Sequence, residues 1–113
     1  MHELSIAQSI VELACEQADG HDASKVLRIA VEIGLLSGVE REALEFCFPI
    51  ACRDTKADGA HLDVTIQPAK ARCPKCNESF LLDDLVLVCP RCGAYPVELL
   101  AGGNLKVLFV EVE

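Results

Sequence analysis

Four of the seven cysteines in this 113-residue chain form two C-x-x-C pairs, Cys73-Pro-Lys-Cys76 and Cys89-Pro-Arg-Cys92-Gly93, with twelve residues between them. Each pair can turn tightly enough to offer two thiolates to one ion. The intervening stretch is long enough for a hairpin that brings the pairs together. Four soft thiolates in a tetrahedron suit Zn²⁺. The protein then fills every coordination position, so the spacing points to a structural ion with no place for a reacting water. Gly93 is expected to relieve crowding where the backbone approaches sulfur. Iron, or a redox dithiol, is the competing reading of the same residues. Cys15, Cys47 and Cys52 have no such partner; they fall in helical segments and read as small apolar residues.

A second group of ligand atoms stands at the start, Met1-His2-Glu3. The amine of Met1, the backbone nitrogen of His2 and an imidazole nitrogen of His2 can close around one ion as fused chelate rings. This requires that Met1 be retained, which a bulky second residue favours. Nitrogen-rich, near-planar ligation suits Ni²⁺ or Cu²⁺. The ion must displace protons, so binding weakens as pH falls. A solvated edge would also let the site hand its ion on, as a carrier requires. Taken alone, His2 reads first as a surface histidine and Glu3 as a favourable charge in a first helical turn. His21 and His61 read as loop histidines.

The elements that must position these groups follow from periodicity. Ile6, Ile10, Leu13 and Ala14 recur at helical spacing, with Ser5 and Gln8 as a capping box and Asp19-Gly20 as a stop. Leu27, Ile29, Val31 and Ile33 alternate as a half-buried strand. Ser37 and Glu40 form a second capping box ahead of a helix through Leu44, Cys47, Phe48 and Ala51, which Pro49 should kink or split near Phe48. Leu62, Val64 and Ile66 mark a second strand, ended or placed on an edge by Pro68. Residues 105–112 mark a third, with Gly102-Gly103 as a hinge before it. The expectation is an α+β fold: a small three-stranded sheet with two helices, plus an inserted zinc-ribbon subdomain. Residues 1–70 and 101–113 form the α/β domain and 71–100 the ribbon. So small an insert cannot bury a sufficient core alone, and metal ligation must supply much of its folding free energy.

Composition narrows the function classes. A 51% hydrophobic content supports one real core, while 4% aromatics make it aliphatic. Ten basic against eighteen acidic residues give a net charge of −8, which works against nucleic-acid binding. Within the ribbon, Arg72, Lys75 and Arg91 face Glu78, Asp83, Asp84 and Glu98, a poor phosphate-binding surface. No apolar run reaches the roughly 18 residues of a membrane span. No secretory signal is expected, and an odd cysteine count with two metal-type pairs favours a reducing compartment, the cytoplasm.

The opening Met1-His2-Glu3-Leu4-Ser5, then Ile33-Gly34, then Ser37-Gly38-Val39-Glu40, with Cys73-x-x-Cys76 and Cys89-Pro-x-Cys92, resembles the HypA/HybF family over essentially all 113 residues. That resemblance implies a hydrogenase maturation factor acting as a nickel metallochaperone, not an enzyme. It implies nickel at Met1 and His2, with Glu3 as an accessory residue, and structural zinc on Cys73, Cys76, Cys89 and Cys92. It also implies a nickel-handling GTPase, HypB, as partner and the large subunit of [NiFe]-hydrogenase as recipient. Some family members carry a histidine just after the last zinc cysteine. Here the stretch is Gly93-Ala94-Tyr95-Pro96, so the fourth nickel ligand stays open among the Glu3 nitrogen, water and a partner. Monomer and homodimer also both stay open. The rival readings are a structural zinc-ribbon interaction module without labile metal, and a thiol redox enzyme.

Overall fold

The chain is described by a computed structural model covering residues 2–82 and 87–113. Met1, Asp83 and Asp84 therefore lie outside the described residues. In chain order the elements are α1 (Glu3–Gly20), β1 (Val26–Gly34), α2 (Arg41–Cys52), β2 (His61–Gln67), β3 (Ala69–Arg72), β4 (Ser79–Leu82), β5 (Glu98–Ala101) and β6 (Leu105–Val112). The strands form two three-stranded sheets, ordered β2-β1-β6 and β4-β3-β5. Arg28 pairs with Asp63, the Thr65 hydroxyl donates to the Val31 carbonyl, and the Leu35 N–H donates to Gln67. Those positions rise together, so β1 and β2 run parallel, joined through α2 as a crossover. Glu113 bonds at Ser24 and Lys25, and Asn104 at Gly34, so β6 runs antiparallel to β1.

The chain divides into two compact units. The first comprises residues 1–32, 39–65 and 106–113; the second comprises 33–38 and 66–105. In the first, α1 buries Ala7, Ile10, Val11, Ala14 and Ala18, while α2 buries Leu44, Phe48 and Cys52. Both sets recur every three or four residues, as a packed helix face requires. The face of α1 is rotated from the one read in the sequence, since Leu13 is 39% exposed while three alanines are fully buried. Leu13 instead lines a groove with Val107, Phe109 and Val112 of β6. The break expected at Pro49 does not occur. The helix continues to Cys52 with Pro49 on its exposed side, so the missing N–H costs one bond near the end.

Caps also differ from expectation. Helix α1 begins at Glu3 with His2 as N-cap, ahead of Ser5, and the first helical bond runs from the Ile6 N–H to the His2 carbonyl. Helix α2 begins at Arg41 with Glu40 as N-cap and no side-chain cap of its own.

The second unit packs Ala69, Ala71, Cys73, Leu82, Cys89 and Val97 together, with Leu36 and Phe80 against them. Strand β3 pairs antiparallel with both β4 and β5. Gly102 is not a free hinge. Its φ is 90°, and a Cβ there would lie 2.6 Å from the Ala69 Cα. Gly34 meets the same constraint, because a Cβ on it would lie 2.3 Å from the Gly102 carbonyl oxygen. Backbone approach between these two glycines fixes residues 33–38 into the unit that carries the cysteines.

Candidate metal centres

The two C-x-x-C pairs adopt one backbone form twice. The Cys73 N–H donates to the Glu78 carbonyl and the Cys89 N–H to Ala94, each five residues on. The Asn77 N–H returns to the Cys73 carbonyl and the Gly93 N–H to Cys89, each four residues back. The fifth residue of each turn is left-handed, Asn77 at φ 61° and Gly93 at φ 75°. Gly93 is needed for this angle and not to relieve crowding, since nothing lies within 4 Å of a Cβ built there. Sequence reading singled out Gly93 but passed over its twin Asn77, a residue type that tolerates the same region. Arg91 pairs with Glu78 at 2.8 Å and so ties one turn to the other.

All four sulfurs lie within 4.8 Å of one another. Cys73 and Cys92 are 3.5 Å apart, and Cys76 and Cys89 are 3.8 Å apart. A tetrahedral ion with metal–sulfur bonds of ~2.3 Å separates its ligands by ~3.8 Å, so the spacing fits one such ion. The electrostatics favour the same outcome. The Cys76 N–H, and then the Lys75 N–H, point at the Cys73 sulfur and outweigh burial, drawing its thiol down to about 7. The Cys92 and Arg91 N–H groups lower Cys89 in the same way. The second cysteine of each pair behaves oppositely. The Glu78 N–H pulls Cys76 down, but burial and the Cys73, Cys89 and Cys92 sulfurs push it up to about 11. At Cys92 the Ala94 N–H is likewise outweighed, by the Cys73 sulfur, burial and the Cys89 sulfur. Cys76 and Cys92 therefore keep their protons until a cation displaces them. The geometry is a chelate for a single metal.

Cys15, Cys47 and Cys52 are not members of this cluster. Among the described residues no other group of histidine, cysteine and carboxylate ligands gathers as a metal site. Cys52 is buried, and that burial, with Cys15 and Asp58 adding to it, pushes its thiol up to about 11. Such a thiol is a packing residue.

At the start of α1, His2 is exposed and Glu3 is only 9% exposed. The Glu3 carboxylate accepts the Glu40 N–H at 3.2 Å. In a capping box that acceptor comes from three residues downstream. Here it comes from another helix, 37 positions away in the chain, and it ties the first turn of α1 to the start of α2. Nothing in the local pattern around Glu40 signals such a partner. His61 lies 3.4 Å from Asp63 on β2, and His21 is the C-cap of α1. No helix among the described residues is long and apolar enough to cross a membrane.

Comparisons agree over the length of the chain. The family model described as "Hydrogenase/urease nickel incorporation, metallochaperone, hypA" matches residues 1–112. The hydrogenase maturation factor HypA of Chlorobaculum parvum is 42% identical over 113 residues, covering all of both chains. The hydrogenase maturation factor HybF of Klebsiella pneumoniae is 39% identical, again over all of both. The solution structure of the Ni metallochaperone HypA from Helicobacter pylori is similar with a TM-score of 0.73 and 26% identity, over 99% of this chain and 97% of that one.

Proposed function

Since this chain belongs to the HypA/HybF family of hydrogenase maturation nickel metallochaperones, we propose that it carries Ni²⁺ at its first residues and keeps a separate, permanent Zn²⁺ on its cysteines. The nickel ligands are the Met1 amine, the His2 backbone nitrogen and the His2 imidazole, with Glu3 as accessory. The zinc ligands are Cys73, Cys76, Cys89 and Cys92. The nickel function is assigned to residues 1–70 and 101–113, and the zinc-ribbon function to 71–100.

The observation that carries this reading is the closed set of four sulfurs, whose mutual spacing leaves no coordination position for a cargo ion. A labile ion needs other ligands. His2 is exposed, and as N-cap of α1 its backbone nitrogen has no intrahelical acceptor. That amide can lose its proton to a metal without breaking the helix. A cation there would meet the positive end of the α1 dipole, and a carboxylate in the first turn offsets it by roughly 0.3–1 kcal/mol. Glu3 stands at that place.

Family members carry an ion and convert no substrate. The cargo passes by ligand exchange, with the GTPase HypB as partner and the [NiFe]-hydrogenase large subunit as destination. Nitrogen ligation prefers Cu²⁺ to Ni²⁺ in raw affinity, so choice of metal rests also on availability and docking. The test is a nickel titration of the zinc-loaded protein and its His2→Ala variant with released protons counted. The reading expects one nickel per chain, proton release, and loss of both in the variant. Equal nickel binding by the variant would place the nickel site away from His2, and no nickel binding by the parent would leave a zinc-ribbon module without labile cargo.

A further inference from the structure

A groove of about 510 Å³ runs along α1 to the place where α2 ends, within the first compact unit. Neither metal proposal uses it. Its floor is small and apolar, made by Val11, Cys15 and Ala51. Glu12, Glu16 and Asp19 stand along its α1 side, and Asp54 lies on the other. A rise of ~1.5 Å per residue spreads the three α1 carboxylates over ~10 Å of one flank. Neither α1 nor α2 has a basic residue in its last turn, so both helix C-termini add partial negative charge. Lys56 also lines the groove, but the Asp19 carboxylate and the Ala23 carbonyl already engage its ammonium.

The chemistry of this slot selects its occupant. A second copy of the chain brings eight further net negative charges against it. A bare metal ion is not suited either, because these carboxylates do not gather into a metal cluster. We propose that the groove docks a basic amphipathic helix of a partner protein. Apolar side chains of that helix seat on Val11, Cys15 and Ala51, and lysines or arginines at helical spacing meet Glu12, Glu16 and Asp54. The apolar floor prolongs residence, while the carboxylates set orientation and speed encounter. The proposal shares no residue with the nickel or zinc sites, so it stands or falls apart from them.

The test titrates full-length protein into a labelled synthetic helical peptide, with leucines on one face and lysines at i, i+4 and i+7 on the other, read by fluorescence anisotropy. The groove variant is Glu12→Lys with Glu16→Lys. Its control is Glu42→Lys with Glu111→Lys, which makes the same charge change at exposed positions outside the groove lining. The expected result is at least about tenfold weaker binding by the groove variant and less than about a twofold change in the control. Glu12→Gln with Glu16→Gln, which preserves shape, should weaken binding in the same direction by less. Equal effects in groove and control variants, no effect in either, or equal binding of a scrambled peptide would each overturn the proposal.

Discussion

Replacing Gly93 by alanine should loosen the grip on zinc without removing any ligand. The residue holds φ at 75°, and a Cβ there meets no atom within 4 Å, so the cost is purely one of backbone angle. An L-residue pays ~1–2 kcal/mol to enter the left-handed region. Alanine recovers ~0.4–1 kcal/mol by stiffening the unfolded chain. The net is about 1 kcal/mol. Because ligation and folding of so small a unit are one process, this appears as roughly fivefold weaker zinc binding. Asn77 holds the equivalent place in the other turn at φ 61°. Gly93→Asn should therefore stay within about twofold of the parent, since asparagine tolerates this region. Competition against a chromophoric chelator at fixed pH gives the ratio directly. Unchanged affinity in Gly93→Ala would refute the equivalence of the two turns. A loss beyond about a hundredfold, or failure of Gly93→Asn to recover, would show that something other than backbone angle operates there.

Zinc affinity should fall as pH falls, and more steeply below about 7. Cys76 at about 11 and the raised Cys92 surrender protons to the metal throughout the neutral range, and Cys73 joins them once pH drops below its own value. The same competition repeated across pH checks this, and a slope that flattens below 7 would contradict it. Gly34→Ala should destabilise the fold by about 3 kcal/mol or more in urea unfolding, because both the Gly102 and Asn104 carbonyl oxygens lie under 3 Å from the new Cβ and neither is free to swing away. Glu3→Ala should cost ~1–3 kcal/mol by removing the acceptor of the Glu40 N–H, while Glu3→Gln keeps an oxygen there and costs less. Hydrogen exchange at the Glu40 amide should rise in the first variant and stay near the parent in the second.

The strands β1 and β2 were legible because Ile29, Val31, Leu62, Val64 and their neighbours alternate, and β6 because Val107 to Val110 are β-branched or large apolar residues. The sulfur site was legible because C-x-x-C spacing constrains a turn whatever surrounds it. The second sheet was not, since Ala69-Lys70-Ala71-Arg72 contains no β-branched or aromatic residue. Its strand character comes from pairing on both sides. Part of the buried face of α1 escaped because the alanines at 7 and 18 weigh little in a hydrophobic pattern, yet both are fully buried. Pro49 misled because a helix near its end loses only one bond to proline. The Glu3–Glu40 bond, and the approach of Gly34 to Gly102, join residues far apart in the chain, and no local window contains either.

The central claim is that nickel is gripped by the nitrogens of the first two residues while sulfur holds another ion elsewhere. Calorimetric titration of Ni²⁺ into zinc-loaded protein, with the amino group free and then acetylated, tests it most directly. The account predicts one nickel site of clear affinity in the free form and its loss on acetylation, with the zinc content unchanged in both. Undiminished nickel binding by the acetylated chain would contradict it.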